Sequence, residues 1–212
     1  MRCYLCPMPV SVCVIDDYDI VVAGVRALLA PFAERVLVVE TQLRTNPDLA
    51  VDVALFDTFA APLDWQAQLT ELAADSRVGA VAVYSFMTDP RAVEDSLAAG
   101  AGGFLAKSLP AEALVEGIEA IAGGHRVVDL GARDGGVAGD HWPAEGVGLS
   151  PREAEMLSLI VRGYSNEEIA RSRYLSPNTV KSYIREAYRK IGVTTRAQAV
   201  AWGMRNGLEP SH

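Results

Sequence analysis

Cysteine, histidine, aromatic residues and long apolar runs are all scarce in this chain. The three cysteines, Cys3, Cys6 and Cys13, fall within the first thirteen residues, and no second cysteine or histidine cluster follows them. That argues against a disulfide framework and against a Cys/His metal module. An irregular start followed by a buried thiol in the first strand is expected instead. His125, His141 and His212 are scattered and suggest no site. No apolar run is long enough to span a bilayer, and the first residues lack a basic region followed by an apolar core. The expectation is a soluble, cytoplasmic chain without membrane contact.

What is present is Ala, Val and Leu in quantity, half of the 212 residues being apolar, enough for one large core or two small ones. The net charge of −8 argues against a nucleic-acid partner until it is divided along the chain. From Met1 to Gly131 acids outnumber Lys and Arg by 18 to 8, whereas from Leu149 onward the bases lead by 10 to 6. An acidic front and a basic back predict two domains with different partners.

Short Val-rich runs at Val10–Ile15, Val36–Val39, Val53–Phe56, Gly79–Tyr84 and Gly103–Leu105 read as parallel strands covered on both faces. Helical periodicity fills Ile20–Leu29, Trp65–Ala74, Arg91–Ala99 and Glu112–Ala122. The crossover from Glu40 to Asp52 contains Asn46-Pro47 and predicts a short helix or none. The fold class expected for residues 8–124 is an α/β, doubly wound, five-stranded parallel sheet, whose ligands sit beyond the carboxyl ends of the strands. Residues 125–147, rich in Gly and without periodicity, are expected to form a flexible linker. Residues 148–210 predict a small all-α, four-helix domain, with helix starts at Ser150-Pro151-Arg152-Glu153, Ser165, Ser176-Pro177 and Thr194 or Thr195.

Asp16 and Asp17 follow the first strand and Asp57 follows the third, so the topology brings three carboxylates to one sheet edge. Such a cluster needs a cation, and oxygen-only ligands favour Mg²⁺. Ser85 ends the fourth strand and Lys107 follows the fifth, on the same edge. A hydroxyl and an ammonium facing a carboxylate suit a phosphoryl group, with Asp57 as the nucleophile. Taken singly, each is weak: an Asp after a strand is usually a turn residue or cap, and a lone Lys is usually solvated.

Residues 1–130 resemble a receiver domain with flavodoxin-like strand order, and the whole chain is similar to the NarL/FixJ family of response regulators. Asp16-Asp17 with Asp19, Arg26-Ala27-Leu28-Leu29, and Gly100-Ala101-Gly102-Gly103-Phe104-Leu105-Ala106-Lys107 carry the likeness. The resemblance implies Asp57 as phosphoacceptor, Asp16 and Asp17 as metal ligands beside it, Ser85 and Lys107 as phosphoryl contacts, and Phe104 as an aromatic that changes rotamer on activation. Two departures stand out. The family usually has Met-Pro at the third and fourth positions after the phosphoacceptor, where this chain reads Asp57-Thr58-Phe59-Ala60-Ala61-Pro62. The position after Ser85 is usually small, and here it is Phe86. Phe59 and Phe86 are expected to crowd the pocket and slow phosphotransfer.

Residues 149–208 resemble the LuxR-type helix-turn-helix, through Leu149-Ser150-Pro151-Arg152-Glu153, Asn166-Glu167-Glu168-Ile169-Ala170 and Leu175-Ser176-Pro177-Asn178-Thr179-Val180-Lys181. On the third helix Ile184, Ala187, Tyr188 and Ile191 share the face expected to pack. Asn178, Thr179, Lys181, Ser182 and Arg185 are the candidates for base edges in double-stranded DNA. Arg171, Arg173, Arg189, Lys190 and Arg196 are the candidates for its phosphates. In the last helix Ala197, Val200, Ala201 and Met204 are expected mostly in the core, and the family implies that this helix also serves a homodimer.

Three readings follow. The first is a transcription regulator, not an enzyme, switched by phosphorylation of Asp57 with a sensor histidine kinase as partner. The second is an atypical receiver regulated by protein contact or a small ligand. The third, a Mg²⁺-dependent phosphohydrolase, lacks the acid expected two residues beyond Asp57, where Phe59 stands.

Overall fold

In the computed structural model the described residues are 8–16, 18–42, 47–59, 61–86, 88–131 and 144–208. The front half forms β1 (Val10–Ile15), α1 (Asp19–Leu29), β2 (Val36–Gln42), β3 (Val51–Asp57), α2 (Trp65–Ala73), β4 (Val78–Ser85), α3 (Pro90–Ala98), β5 (Gly103–Ala106), α4 (Ala111–Ala122) and β6 (Val127–Asp129). The sheet is parallel throughout, in the order β2-β1-β3-β4-β5-β6. Its strands lack polar alternation because both faces are covered. Val21, Val25 and Leu29 of α1 join Leu114, Ile118 and Ile121 of α4 in one core, while Trp65, Leu69 and Leu72 of α2 join Val93 of α3 in the other. Since β1 and β3 are adjacent, their carboxyl ends share one edge.

Five strands were expected and six are found among the described residues. Val127–Asp129, inside the span read as linker, pairs with β5 through Gly103↔Val127, Phe104↔Val128 and Leu105↔Asp129. The physical reason is the edge of β5, whose unpaired N–H and C=O groups attract a further strand. Gly103 permits the approach, because a Cβ there would lie 2.8 Å from the Val127 carbonyl oxygen. Of the rest of the expected linker, 132–143 lies outside the described residues, and Glu145–Val147 forms a short 3-10 turn. No helix joins β2 to β3 among the described residues, in keeping with the short crossover, and Leu37 and Val39 of β2 stay exposed.

The back half forms α5 (Pro151–Val161), α6 (Asn166–Ser172), α7 (Pro177–Ile191) and α8 (Arg196–Arg205). Reciprocal capping boxes start three of them: Ser150 with Glu153, Ser165 with Glu168, and Thr195 with Gln198. Ser176 caps α7, which ends at Gly192 in the left-handed conformation. Val180, Ile184 and Ala187 are the buried residues of α7, with Tyr188 and Ile191 half-buried at the margin.

The packing of α8 departs from expectation. Ala199 and Gly203 are its buried residues, whereas Ala197, Ala201 and Met204 are exposed. The cause is close approach to α5: a Cβ on Gly203 would lie 2.4 Å from Cγ2 of Val161. Gly203 therefore takes the packed position, and Met204 beside it turns to solvent.

Candidate functional site

Asp57 ends β3, Ser85 ends β4 and Lys107 follows β5, so the strand register alone gathers them at the carboxyl edge. Asp57 Oδ1 accepts the backbone N–H of Phe59 at 2.7 Å, and its other oxygen takes the Lys107 ammonium in a buried ion pair. The Lys107 N–H donates to the Ser85 carbonyl at 2.9 Å, tying β4 to the turn after β5. Asp16 Oδ1 accepts the Tyr18 N–H at 2.7 Å. Asp16 Oδ2 is buried without a hydrogen-bond partner, and Lys107 Nζ stands 4.0 Å from it. Burial, and then the charge of Asp57, hold the Asp16 carboxyl well above the usual range. An orphaned carboxylate oxygen facing a second carboxylate fits a divalent cation. Asp17 lies outside the described residues.

Aromatic rings close the site. Lys107 Nζ lies 5.3 Å from the centroids of Tyr84 and Phe86 and 6.0 Å from that of Phe59, within cation–π range. The cavity beside Asp16 and Asp57 measures about 20 Å³, room for about one water. Phe104, the expected mobile aromatic, is fully buried in the core beside α2 and α3.

Several residues that reading the sequence missed hold the helical domain against this edge. Arg173, in the turn between α6 and α7, was expected to meet phosphates. It is instead buried, pairing with Glu155 at 2.9 Å and donating to the Ala61 carbonyl at 2.5 Å in the loop after Asp57. Tyr174 beside it has φ +54°, its hydroxyl donates to Asp95 of α3, and it accepts from Gln66 of α2 at 3.2 Å. Burial and the Asp95 carboxylate push the Tyr174 phenol up to about 12. At the far end of the domain, the Tyr18 hydroxyl donates to the Leu208 carbonyl at 3.4 Å. Thr58 was also missed. Its hydroxyl donates to Ser85 Oγ at 2.5 Å, and the register Asp57↔Tyr84 is the signal, since the next rung sets Thr58 beside Ser85.

The basic face is open. Asn178, Lys181, Ser182 and Arg185 are exposed along α7. Thr179 is half-buried, its Oγ1 2.8 Å from the capping Ser176 hydroxyl. Lys181, Arg185 and Arg189 rim a groove of about 440 Å³ whose floor includes Ile184, Tyr188 and Val193. Other candidate bases have partners within the protein. Lys190 pairs with Glu153 at 2.6 Å, Arg189 with Glu186 at 2.9 Å, and Arg196 donates to the Tyr164 carbonyl at 2.5 Å.

Comparison with known proteins agrees with this two-part architecture. The family described as bacterial regulatory proteins, luxR family, matches residues 147–202. The chain is 28% identical over 205 residues to the transcriptional regulatory protein MctR of Rhizobium johnstonii, covering 94% of this chain and 95% of that one. It is 35% identical over 161 residues to the probable transcriptional regulatory protein NarL of Mycobacterium tuberculosis, covering 74% of each. Among solved structures it is similar to the response regulator ChrA of a heme-sensing two-component system, at 25% identity and TM-score 0.49, covering 95% of this chain and 99% of that one. With an acidic receiver edge in front and a luxR-family helical domain behind, the chain belongs to the NarL-type family of transcriptional response regulators.

Proposed function

We propose that phosphorylation of Asp57 switches this DNA-binding response regulator, and that the exposed side of α7 enters the major groove of double-stranded DNA. The observation that carries the reading is the convergence of Asp57, Lys107 and Ser85 beside the orphaned Asp16 oxygen. An Asp57 oxygen attacks phosphorus, the bond from phosphorus to its leaving group breaks, and the electron pair departs with that group. The donor is the phosphohistidine of a sensor histidine kinase. Asp16 and Asp57, with Asp17 next to Asp16 in sequence, would hold Mg²⁺, which neutralises charge on the transferring group. Lys107 balances the charge of the acyl phosphate, and Ser85 offers it a hydroxyl.

The loop that carries Asp57 also carries Ala61, whose carbonyl takes Arg173. A phosphoryl group on Asp57 must displace Phe59 and its neighbours, so modification loosens the Arg173 contact and frees the helical domain. The exposed Ala197, Ala201 and Met204 of α8 then supply the contact for a homodimer on a two-fold site. The chain accepts one phosphoryl group in the cytoplasm and turns over no substrate of its own. Among the described residues no helix is long and apolar enough to cross a membrane.

The small cavity favours a second reading, in which the receiver responds to a protein or small ligand without phosphorylation. Incubation with Mg²⁺ and a small phosphodonor, followed by intact-mass measurement, separates the two. One added phosphoryl group, absent from Asp57→Asn, supports the switch. Regulation that survives Asp57→Asn supports the second reading.

A further inference from the structure

We infer that Thr58 is a positioning residue for phosphotransfer, holding the Ser85 hydroxyl so that the Ser85 proton is aimed at the phosphoryl oxygens; the inference rests on Asp57 being the phosphoacceptor. The pairing of β3 with β4 runs Phe56↔Val83 and Asp57↔Tyr84, and one rung further it places Thr58 beside Ser85. Both residues are about 1% exposed, and Thr58 Oγ1 donates to Ser85 Oγ at 2.5 Å. The Ser85 backbone is fixed from the other side by the Lys107 N–H. A serine hydroxyl that accepts one hydrogen bond keeps a single proton to donate, so the Thr58 contact narrows where that proton points. Accepting from Thr58 also polarises Ser85 and strengthens its own donation.

Thr58 Oγ1 bonds to Ser85 and not to the reacting carboxylate. One Asp57 oxygen takes the Phe59 N–H and the other takes Lys107, so Thr58 acts through Ser85. During transfer the bond from an Asp57 oxygen to phosphorus forms. With an acyl phosphate as donor, the bond from phosphorus to the leaving carboxylate oxygen breaks, and the electron pair leaves with the carboxylate. Ser85 keeps its proton and contributes a hydrogen bond as charge gathers on the phosphoryl oxygens. A merely structural hydroxyl pair would affect stability and leave this step alone.

The test uses the full chain with Mg²⁺ and acetyl phosphate, measuring labelling rate against donor concentration by intact mass, with a melting curve for each variant. Thr58→Val keeps the shape and removes the hydroxyl; it is expected to lower the limiting rate about tenfold while the half-saturating donor concentration stays unchanged. Thr58→Ser restores the rate. In a Ser85→Ala background, Thr58→Val adds no further slowing. Thr58→Ala carries the same comparison if the valine chain does not fold. A limiting rate unchanged in Thr58→Val, even with a lowered melting temperature, overturns the inference, as does equal slowing with and without Ser85. Absence of any adduct on the unmodified chain overturns the phosphoacceptor reading and this inference with it.

Discussion

The two ends of this molecule treat charge in opposite ways. At the receiver edge Asp16 and Lys107 are buried under Phe59, Tyr84 and Phe86, with space for about one water. On α7 the bases Lys181 and Arg185 stand exposed to solvent. Charge held at low dielectric acts strongly on whatever reaches it, and charge in water acts weakly but at once. The acidic site is therefore built for a slow, committed event, and the basic helix for rapid, salt-dependent encounters. Arg173 is the exception that connects them, a base from the helical domain spent entirely inside the structure.

Breaking that connection gives the largest expected effect. Arg173→Ala strips one partner from buried Glu155 and should cost about 3–5 kcal/mol of stability, nearer the lower figure because Arg152 still reaches Glu155 at 3.1 Å. Thermal melting reads that loss. Faster hydrogen exchange around Ala61 would show that the two domains part as well.

On the open side, Arg185→Ala should weaken binding to a duplex selected from a random pool by about 1–3 kcal/mol at fixed salt. Lys190→Ala should lower the melting temperature instead, since Lys190 is bound to Glu153. Equal affinity losses for both would erase the distinction between free and engaged bases.

Opening the closed side sharpens the comparison. Phe86→Ala should raise the labelling rate of Asp57 by about tenfold, worth about 1.4 kcal/mol of barrier. An unchanged rate would mean that the rings do not limit access.

The smallest effect is a pH dependence. Burial raises the Glu153 carboxyl, but hydrogen bonds from Lys190 and Ser150 outweigh it, leaving the group below its ordinary 4.5. A depressed carboxyl contributes stability that is present above 4.5 and lost as pH falls through the folded value. The melting temperature should fall more steeply below that point in the native chain than in Glu153→Gln, by an amount on the order of 1 kcal/mol or less.

Much of this is legible in the sequence. Val-rich runs marked the first five strands, and the residues ending them placed Asp57, Ser85 and Lys107 together, because strand order fixes which carboxyl ends are neighbours. Helix starts were legible because capping is local chemistry, as at Ser150 and Ser165. Whatever depended on distant partners was not. Val127–Asp129 is too short to show periodicity and is a strand only because β5 offers an edge. Arg173 reads as a phosphate contact until Glu155 and Ala61 are seen around it. The buried side of α8 was misread because apolar size suggested Met204, whereas close approach to Val161 required Gly203.

Tyr174 carries a bulky side chain at φ +54°, a region that costs a non-glycine residue about 1–2 kcal/mol. That cost falls on the helix-turn-helix turn whether or not the domains touch, while the benefit, the contacts to Asp95 and Gln66, exists only when they do. Stability of the part and cohesion of the whole are thus set against each other at one residue. A glycine there would be the better turn and the poorer fastener, so Tyr174→Gly should make a sturdier DNA-binding domain in a looser, less restrained regulator.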